Sequence, residues 1–116
     1  MIINIFVKNL STGAITRVST DATGVQGNSD SQQPVFSADG TNVAFWSYAS
    51  NLVAGDTNGV SDIFVKDLST GAITRVSTDG SGLQGNSISQ TPVFSADGTK
   101  VAFMSNASNL VAGDTN

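Results

Sequence analysis

The sequence consists of two repeats of one 58-residue unit. The stretch IFVKNLSTGAITRVSTD, which begins at Ile5, returns as IFVKDLSTGAITRVSTD at Ile63. When residues 1–58 are aligned with residues 59–116, 45 of the 58 positions are identical, and four of the 13 differences fall in the first four residues. Because segments this similar adopt the same local structure, the fold must use one structural unit twice.

Each repeat predicts four short β-strands and no helix. β-Branched and aromatic residues form the run IFVK (63–66), and a turn then leads into a second strand, AITRVST, at Ala72. The runs VFS (93–95) and VAFMS (101–105) flank an Asp-Gly turn and predict a second hairpin. The polar segment 79–90 between the two hairpins predicts a loop. No run shows the 3.6-residue apolar period that an amphipathic helix requires.

The strands IFV and VAFM are apolar along their whole length, not at alternate positions. Continuous apolar runs are typical of strands in a sheet that is covered on both faces. A four-stranded sheet covered on both sides by copies of itself is typical of a β-propeller blade. The sequence therefore predicts an all-β fold made of propeller blades with four antiparallel strands each, with two blades' worth of strands per chain.

Two ordered motifs, each present twice, carry a resemblance to a known family. PVFSADGTNVAF (34–45), PVFSADGTKVAF (92–103) and DIFVKDLSTG (62–71) resemble the PD40 or TolB-type β-propeller repeat. Ala38 and Ala96 stand where that family usually has a proline before Asp-Gly. The resemblance implies the strand order PVFS, VAF, DIFV and ITRVS from the centre of the propeller outward. It also implies an extracellular or periplasmic parent protein, although the first residues are not expected to act as a signal peptide.

In the terms of that family, the chain begins at the third strand of a blade. Residues 1–20 are expected to form the third and fourth strands of one blade, residues 21–78 a complete blade, and residues 79–116 the first and second strands of another. A half-blade leaves an open strand edge, which soluble proteins usually avoid. Because each end carries the half that the other lacks, we expect head-to-tail assembly of identical chains into a ring. A trimer with six blades is expected, and a tetramer with eight is the alternative.

Six apolar side chains on the end strands are expected at the junction between chains. They are Ile5, Phe6, Val7, Val101, Phe103 and Met104. Each such side chain contributes about 1.5–3 kcal/mol when it becomes well buried. The predicted function is therefore a non-catalytic structural or interaction module that assembles with itself.

Composition argues against most catalytic and binding classes. The chain has no His, Cys or Glu, so a Ser or Cys hydrolase with a His base and a Cys/His zinc site are excluded. Asp39 and Asp97 remain for acid–base chemistry, but both belong to Asp-Gly hairpin turns. A net charge of −4 with dispersed basic residues disfavours a nucleic-acid partner, and no apolar run is long enough to predict a membrane span. We therefore do not expect an enzyme.

The segment GDTNGVSD (55–62) holds the strongest polar cluster. Asp56, Asn58 and Asp62 supply oxygen atoms around a Gly-containing turn, which is the arrangement that Ca²⁺ prefers, and they predict a calcium site. The alternative is an Asx-rich turn that binds backbone amides. Trp46 and Tyr48 are predicted either to pack in the core or to stack on a carbohydrate. A carbohydrate-binding or calcium-dependent propeller is thus the alternative function, and an enzyme ranks third.

Overall fold

The computed structural model describes residues 1–56 and 59–114, and these residues form eight β-strands and no helix. The strands are β1 (Phe6–Lys8), β2 (Ile15–Arg17), β3 (Ser31–Phe36), β4 (Asn42–Ser47), β5 (Asp62–Asp67), β6 (Ile73–Arg75), β7 (Ser89–Phe94) and β8 (Val101–Ser105). The predicted all-β class is confirmed. Within the described residues there is accordingly no helix with the length and apolar character needed to cross a membrane.

The strands form three antiparallel sheets, with the orders β1-β2, β3-β4-β5-β6 and β7-β8. In the four-stranded sheet, β4 of the first repeat pairs with β5 of the second, from Asn42 opposite Asp67 to Ser47 opposite Asp62. The pairing of β1 with β2 has the same register as β5 with β6, shifted by 58 residues, and β7 with β8 likewise repeats β3 with β4. The β1–β2 sheet is therefore equivalent to the β5–β6 half of the four-stranded sheet, and the β7–β8 sheet is equivalent to its β3–β4 half.

Strand β7 begins inside the segment 79–90 that was predicted to be a loop. The Ser89 N–H donates a hydrogen bond to the Ser61 carbonyl at 3.0 Å, which ties the start of β7 to the neighbouring segment. The strand then bulges around Thr91, whose φ is 59°. A bulge breaks the two-residue alternation by which a strand is recognised in a sequence, and it also accommodates Pro92, which cannot donate to a ladder. The predicted loop 79–90 is therefore too long, because its last two residues belong to β7.

The hydrophobic core lies between the β1–β2 sheet and one face of the four-stranded sheet. Its buried members are Ile5, Val18, Val43, Phe45, Ala49, Leu52 and Phe64. Gly27 packs against this core so closely that a Cβ there would lie 3.3 Å from both Ala49 Cβ and Leu52 Cδ2. The core thus joins the first residues of the chain to the middle of the molecule, in line with the apolar character of the two central strands.

The second two-stranded sheet packs through β7 against β3, β4 and β5. Val65, Phe94 and Val101 line the space between this sheet and the four-stranded sheet. Since Val65 and Phe64 are neighbours on β5, their side chains point to opposite faces. The four-stranded sheet is therefore covered on one face by β1–β2 and on the other by β7–β8.

Candidate interface at the open strand edges

Strands β1 and β8 each have one edge without a paired strand in the described residues. β1 pairs with β2 alone, and β8 pairs with β7 alone. Their counterparts 58 residues away, β5 and β4, pair with each other along six residue pairs. The chain therefore contains in its middle the strand contact that its two end sheets lack.

Apolar side chains that are exposed in the end sheets are buried at the equivalent positions of the four-stranded sheet. Phe6 is 54% exposed, whereas Phe64 is 0% exposed. Met104 is 67% exposed, whereas Trp46 is 7% exposed. Exposed apolar surface of this kind is typical of an interaction surface when it is contiguous.

Exposed apolar side chains with packed equivalents in the second repeat also occur in the turn after β1 and on β2. Leu10 and Ile15 are exposed in the first repeat, while their equivalents Leu68 and Ile73 pack against the core. Neither Leu10 nor Ile15 was among the predicted interface residues. The sequence signal that identifies them is the 58-residue offset itself, because each has a packed counterpart inside the chain.

The six predicted interface residues do not form one exposed surface. Phe6 and Met104 are exposed, and Val101 and Phe103 are half-buried. Ile5 is buried within the chain as part of the core, and Val7 packs against that core. The side chains of Ile5 and Val7 therefore serve the internal packing, and this segment leaves its backbone edge and the Phe6 side chain open.

Lys66 is a buried cation that joins the two repeats. Its Nζ donates hydrogen bonds to the Thr20 carbonyl at 3.2 Å, to Thr20 Oγ1 at 2.9 Å and to the Asp21 carbonyl at 2.9 Å. Burial lowers the pKa of Lys66, and attraction to the Asp21 carboxylate opposes that shift. Lys8, the equivalent residue of the first repeat, is exposed.

The aspartates of the two Asp-Gly turns stabilise those turns. Asp97 Oδ1 accepts hydrogen bonds from Ser95 Oγ at 2.7 Å, from the Thr99 N–H at 3.1 Å and from Thr99 Oγ1 at 2.8 Å. These bonds lower the pKa of Asp97 to about 2, and the same kind of bonds lower the pKa of Asp39. Such carboxyl groups are ionised at neutral pH, which makes them poor general acids.

Two of the three residues predicted to bind calcium lie in the described part of the chain, and Asn58 lies outside it. Asp56 Oδ1 is 3.8 Å from Arg75 Nη1, so this carboxylate forms an ion pair within the chain. Among residues 1–56 and 59–114, no group of three acidic side chains comes together as a metal site. The calcium site stays a prediction.

Asp62, the last of the three predicted calcium ligands in the sequence, takes part in a buried hydrogen bond. Its Oδ1 accepts from Ser77 Oγ at 2.8 Å. In the first repeat, Asn4 accepts the equivalent bond from Ser19 Oγ at 2.9 Å. Since a neutral amide fills the same place, this contact does not require a negative charge.

Trp46 is packed inside the chain. Its Nε1 donates to Gln33 Oε1 at 2.8 Å, and its ring meets the Tyr48 ring edge-on, with centroids 5.4 Å apart. Tyr48 remains exposed. Of the two predicted roles for these rings, packing is the one that Trp46 has here, because its ring face is not open to a sugar.

No model of a known protein family matches the chain, and a search of the curated proteins gives no match either.

Proposed function

We propose that the chain is a non-catalytic structural module that assembles head to tail with copies of itself. In this proposal the open edge of β8 pairs with the open edge of β1 of the next copy, and each junction completes a four-stranded β-propeller blade. The observation that carries the proposal is the β4–β5 pairing, because it is an internal example of the contact between copies.

The internal pairing supplies the register between copies. Phe45 lies opposite Phe64 in the four-stranded sheet, so Phe103 is expected opposite Phe6 of the next copy. By the same offset, Met104 is expected opposite Ile5 of the next copy. Open strand edges pair readily with another chain, and here a matching edge exists at the other end of every copy.

The apolar side chains at the junction favour association. Phe6 and Met104 are exposed in one chain and have buried counterparts in the four-stranded sheet, and the counterparts of the exposed Leu10 and Ile15 are partly buried against the core. Burying Phe6 and Met104 contributes about 3–6 kcal/mol at about 1.5–3 kcal/mol each, and partial burial of Leu10 and Ile15 adds to this. Rigid-body association costs about 4–15 kcal/mol, and the backbone hydrogen bonds of a new strand pair add to the favourable side.

Head-to-tail contacts close into rings when the rotation per copy allows it. We propose a ring of six blades made by three copies, with eight blades made by four copies as the alternative, since propellers typically contain four to eight blades. Three 11.8 kDa chains give about 35 kDa, and four give about 47 kDa. Ionised aspartates in the turns, which are poor general acids, support the non-catalytic part of the proposal.

Light scattering coupled to gel filtration tests the proposal on the 116-residue chain. A homogeneous particle of about 35 kDa supports the trimer, and one of about 47 kDa supports the tetramer. A folded particle that stays at 11.8 kDa at all concentrations would falsify self-assembly.

A pair of variants separates the junction from general surface effects. Phe6→Asp places a charge on a side chain that is exposed in the single chain but lies at the proposed junction. We expect it to convert the assembly to folded monomers. Val25→Asp is the matched control, because Val25 and its equivalent Leu83 are both exposed, and Val25 stays exposed although its own loop binds Lys66. An equal loss of assembly in both variants would contradict the proposed surface.

A further inference from the structure

The loop that binds Lys66 exists twice in the chain. In the first repeat, the Thr20 carbonyl, Thr20 Oγ1 and the Asp21 carbonyl surround the Lys66 ammonium. In the second repeat the same positions belong to Thr78 and Asp79. The two loops therefore present the same oxygen atoms in the same order.

The backbone of the two loops is also the same. The Asp21 N–H donates to the Val25 carbonyl at 2.9 Å, and the Asp79 N–H donates to the Leu83 carbonyl at 2.8 Å. The bridge from Thr20 to Gln26 likewise recurs in the second repeat between the equivalent residues. The second loop is therefore already folded into the shape that binds an ammonium group in the first.

Lysine occupies the matching position on the open strand. Lys8 is equivalent to Lys66 and lies on β1, whose edge away from β2 has no paired strand in the described residues, with its side chain in solvent. The register of the junction puts Lys8 opposite Val101 of the neighbouring copy, just as Lys66 lies opposite Val43. By the same offset its ammonium is expected to reach the second loop of that neighbour, as that of Lys66 reaches the first loop.

We propose that Thr78 and Asp79 form a binding site for a primary ammonium group, and that its occupant is Lys8 of the adjoining copy. The site rests on the proposed self-assembly and adds to it a polar contact that fixes the register between copies. Hydrogen bonds to an ammonium inside an interface are directional, so they discriminate against slipped strand pairings that apolar contact alone would tolerate. The Asp79 carboxylate takes the place of Asp21 as the nearby negative charge.

Amine labelling of the intact 116-residue chain tests the site. Limiting amounts of an acetylating reagent are applied above and below the concentration at which the assembly forms, and mass spectrometry measures acetylation at each lysine. In the assembly we expect Lys8 to react about tenfold more slowly than Lys100, because it becomes accessible only when the junction opens. Lys100 is a suitable reference because Asn42, its equivalent in the four-stranded sheet, stays partly exposed.

The outcomes separate this inference from the proposed function. An assembly in which Lys8 reacts as fast as Lys100 overturns the ammonium site and leaves the self-assembly in place. A chain that stays monomeric at every concentration overturns both. Protection of Lys8 in the assembly, together with fast labelling after dilution to monomers, supports both.

Substitutions give an independent readout. Lys8→Met keeps most of the apolar stem but removes the ammonium, and we expect the dissociation constant of each junction to rise about ten- to a hundredfold. Lys100→Met is the control for loss of a charge at the same junction, because the register puts Lys100 opposite Asn9 of the next copy, where no ammonium site is proposed, and it should change the dissociation constant little. Thr78→Val should weaken assembly without loss of monomer stability, whereas Thr20→Val should destabilise the monomer, since Lys66 binds there. A Thr78→Val chain that assembles as tightly as the unchanged chain overturns the site.

Discussion

Phe45 and Phe64 lie opposite each other on β4 and β5, with their ring centroids 5.9 Å apart and their planes inclined by 29°. Both side chains are fully buried. One ring comes from each repeat, so this stacked pair is one of the contacts that join the two units. Aromatic pairs of this kind contribute about 0.5–1.5 kcal/mol beyond the burial of their area. In the proposed assembly, Phe103 and Phe6 of the next copy form the same pair between chains.

Phe45 and Phe103 occupy equivalent positions in the two repeats, but their replacement by alanine should have different effects. Phe45→Ala leaves a cavity in the core, and we expect the free energy of unfolding of the monomer to fall by about 3–5 kcal/mol. Phe103→Ala removes a half-buried ring, so the monomer should lose much less while assembly weakens. Urea unfolding of dilute protein, followed by the fluorescence of its single tryptophan, measures the first effect, and light scattering measures the second. Equal losses of monomer stability in the two variants would contradict the placement of Phe103 at the junction between copies.

Thr91 holds a strained backbone conformation. Its φ of 59° lies in the left-handed region, which a β-branched residue rarely adopts. Replacement by Asn, which tolerates this region, should raise the free energy of unfolding by about 1 kcal/mol. Gln33, at the equivalent bulge with a φ of 55°, is not β-branched and accepts the hydrogen bond of Trp46 Nε1, so Gln33→Asn should give no gain. Denaturant unfolding of both variants provides the measurement, and a less stable Thr91→Asn chain would show that the Thr91 side chain compensates for the strain.

Local chemistry is what made the strands and hairpins predictable. Asp39 Oδ1 accepts hydrogen bonds from Ser37 Oγ and from Thr41, so the Asp-Gly turn is fixed by residues within five positions of one another. The apolar runs that predicted coverage on both faces became β4 and β5, whose central residues are buried on both faces. Where a feature depends on neighbours in the sequence, a single chain is enough to reveal it.

The features that the sequence did not reveal depend on distant parts of the chain. Lys66 binds a loop about 45 residues before it, and nothing near Lys66 distinguishes a buried lysine from a solvated one. Ile5 lies near the start of the sequence but packs in the core with Val18 and Phe45. The bulge at Thr91 is equally invisible, because the residue type there disfavours the conformation that it adopts.

The predicted calcium site leads to a definite expectation. A cation held by Asp56, Asn58 and Asp62 in the folded chain only would raise the melting temperature as calcium is added, by mass action. Asp62→Asn should abolish that rise and preserve the fold, because Asn4 already makes the equivalent hydrogen bond to Ser19. Thermal melts with calcium and with a chelator measure the effect. A melting temperature that does not respond to calcium in the unchanged chain would remove the site.

Turn aspartates should make the fold sensitive to acid. Hydrogen bonds from Ser69 and Thr70 lower the pKa of Asp67, so its carboxylate stabilises the folded chain above pH 3.8 and this contribution is lost as the pH falls through the lowered pKa. Asn9 makes the same three contacts in the first repeat, with Ser11 and Thr12.

Asp67→Asn should therefore lower the melting temperature at pH 7 slightly, because a neutral amide oxygen accepts the same bonds more weakly than a carboxylate, and should make its decline below pH 4 shallower. Asp97 lies at a turn where both repeats have aspartate, and its pKa is about 2. Asp97→Asn should also make the acid-side decline of the melting temperature shallower. Thermal melts across this pH range, on dilute protein so that assembly does not contribute, provide the comparison. If both variants lose stability in acid as steeply as the unchanged chain, the acid sensitivity arises from other carboxylates.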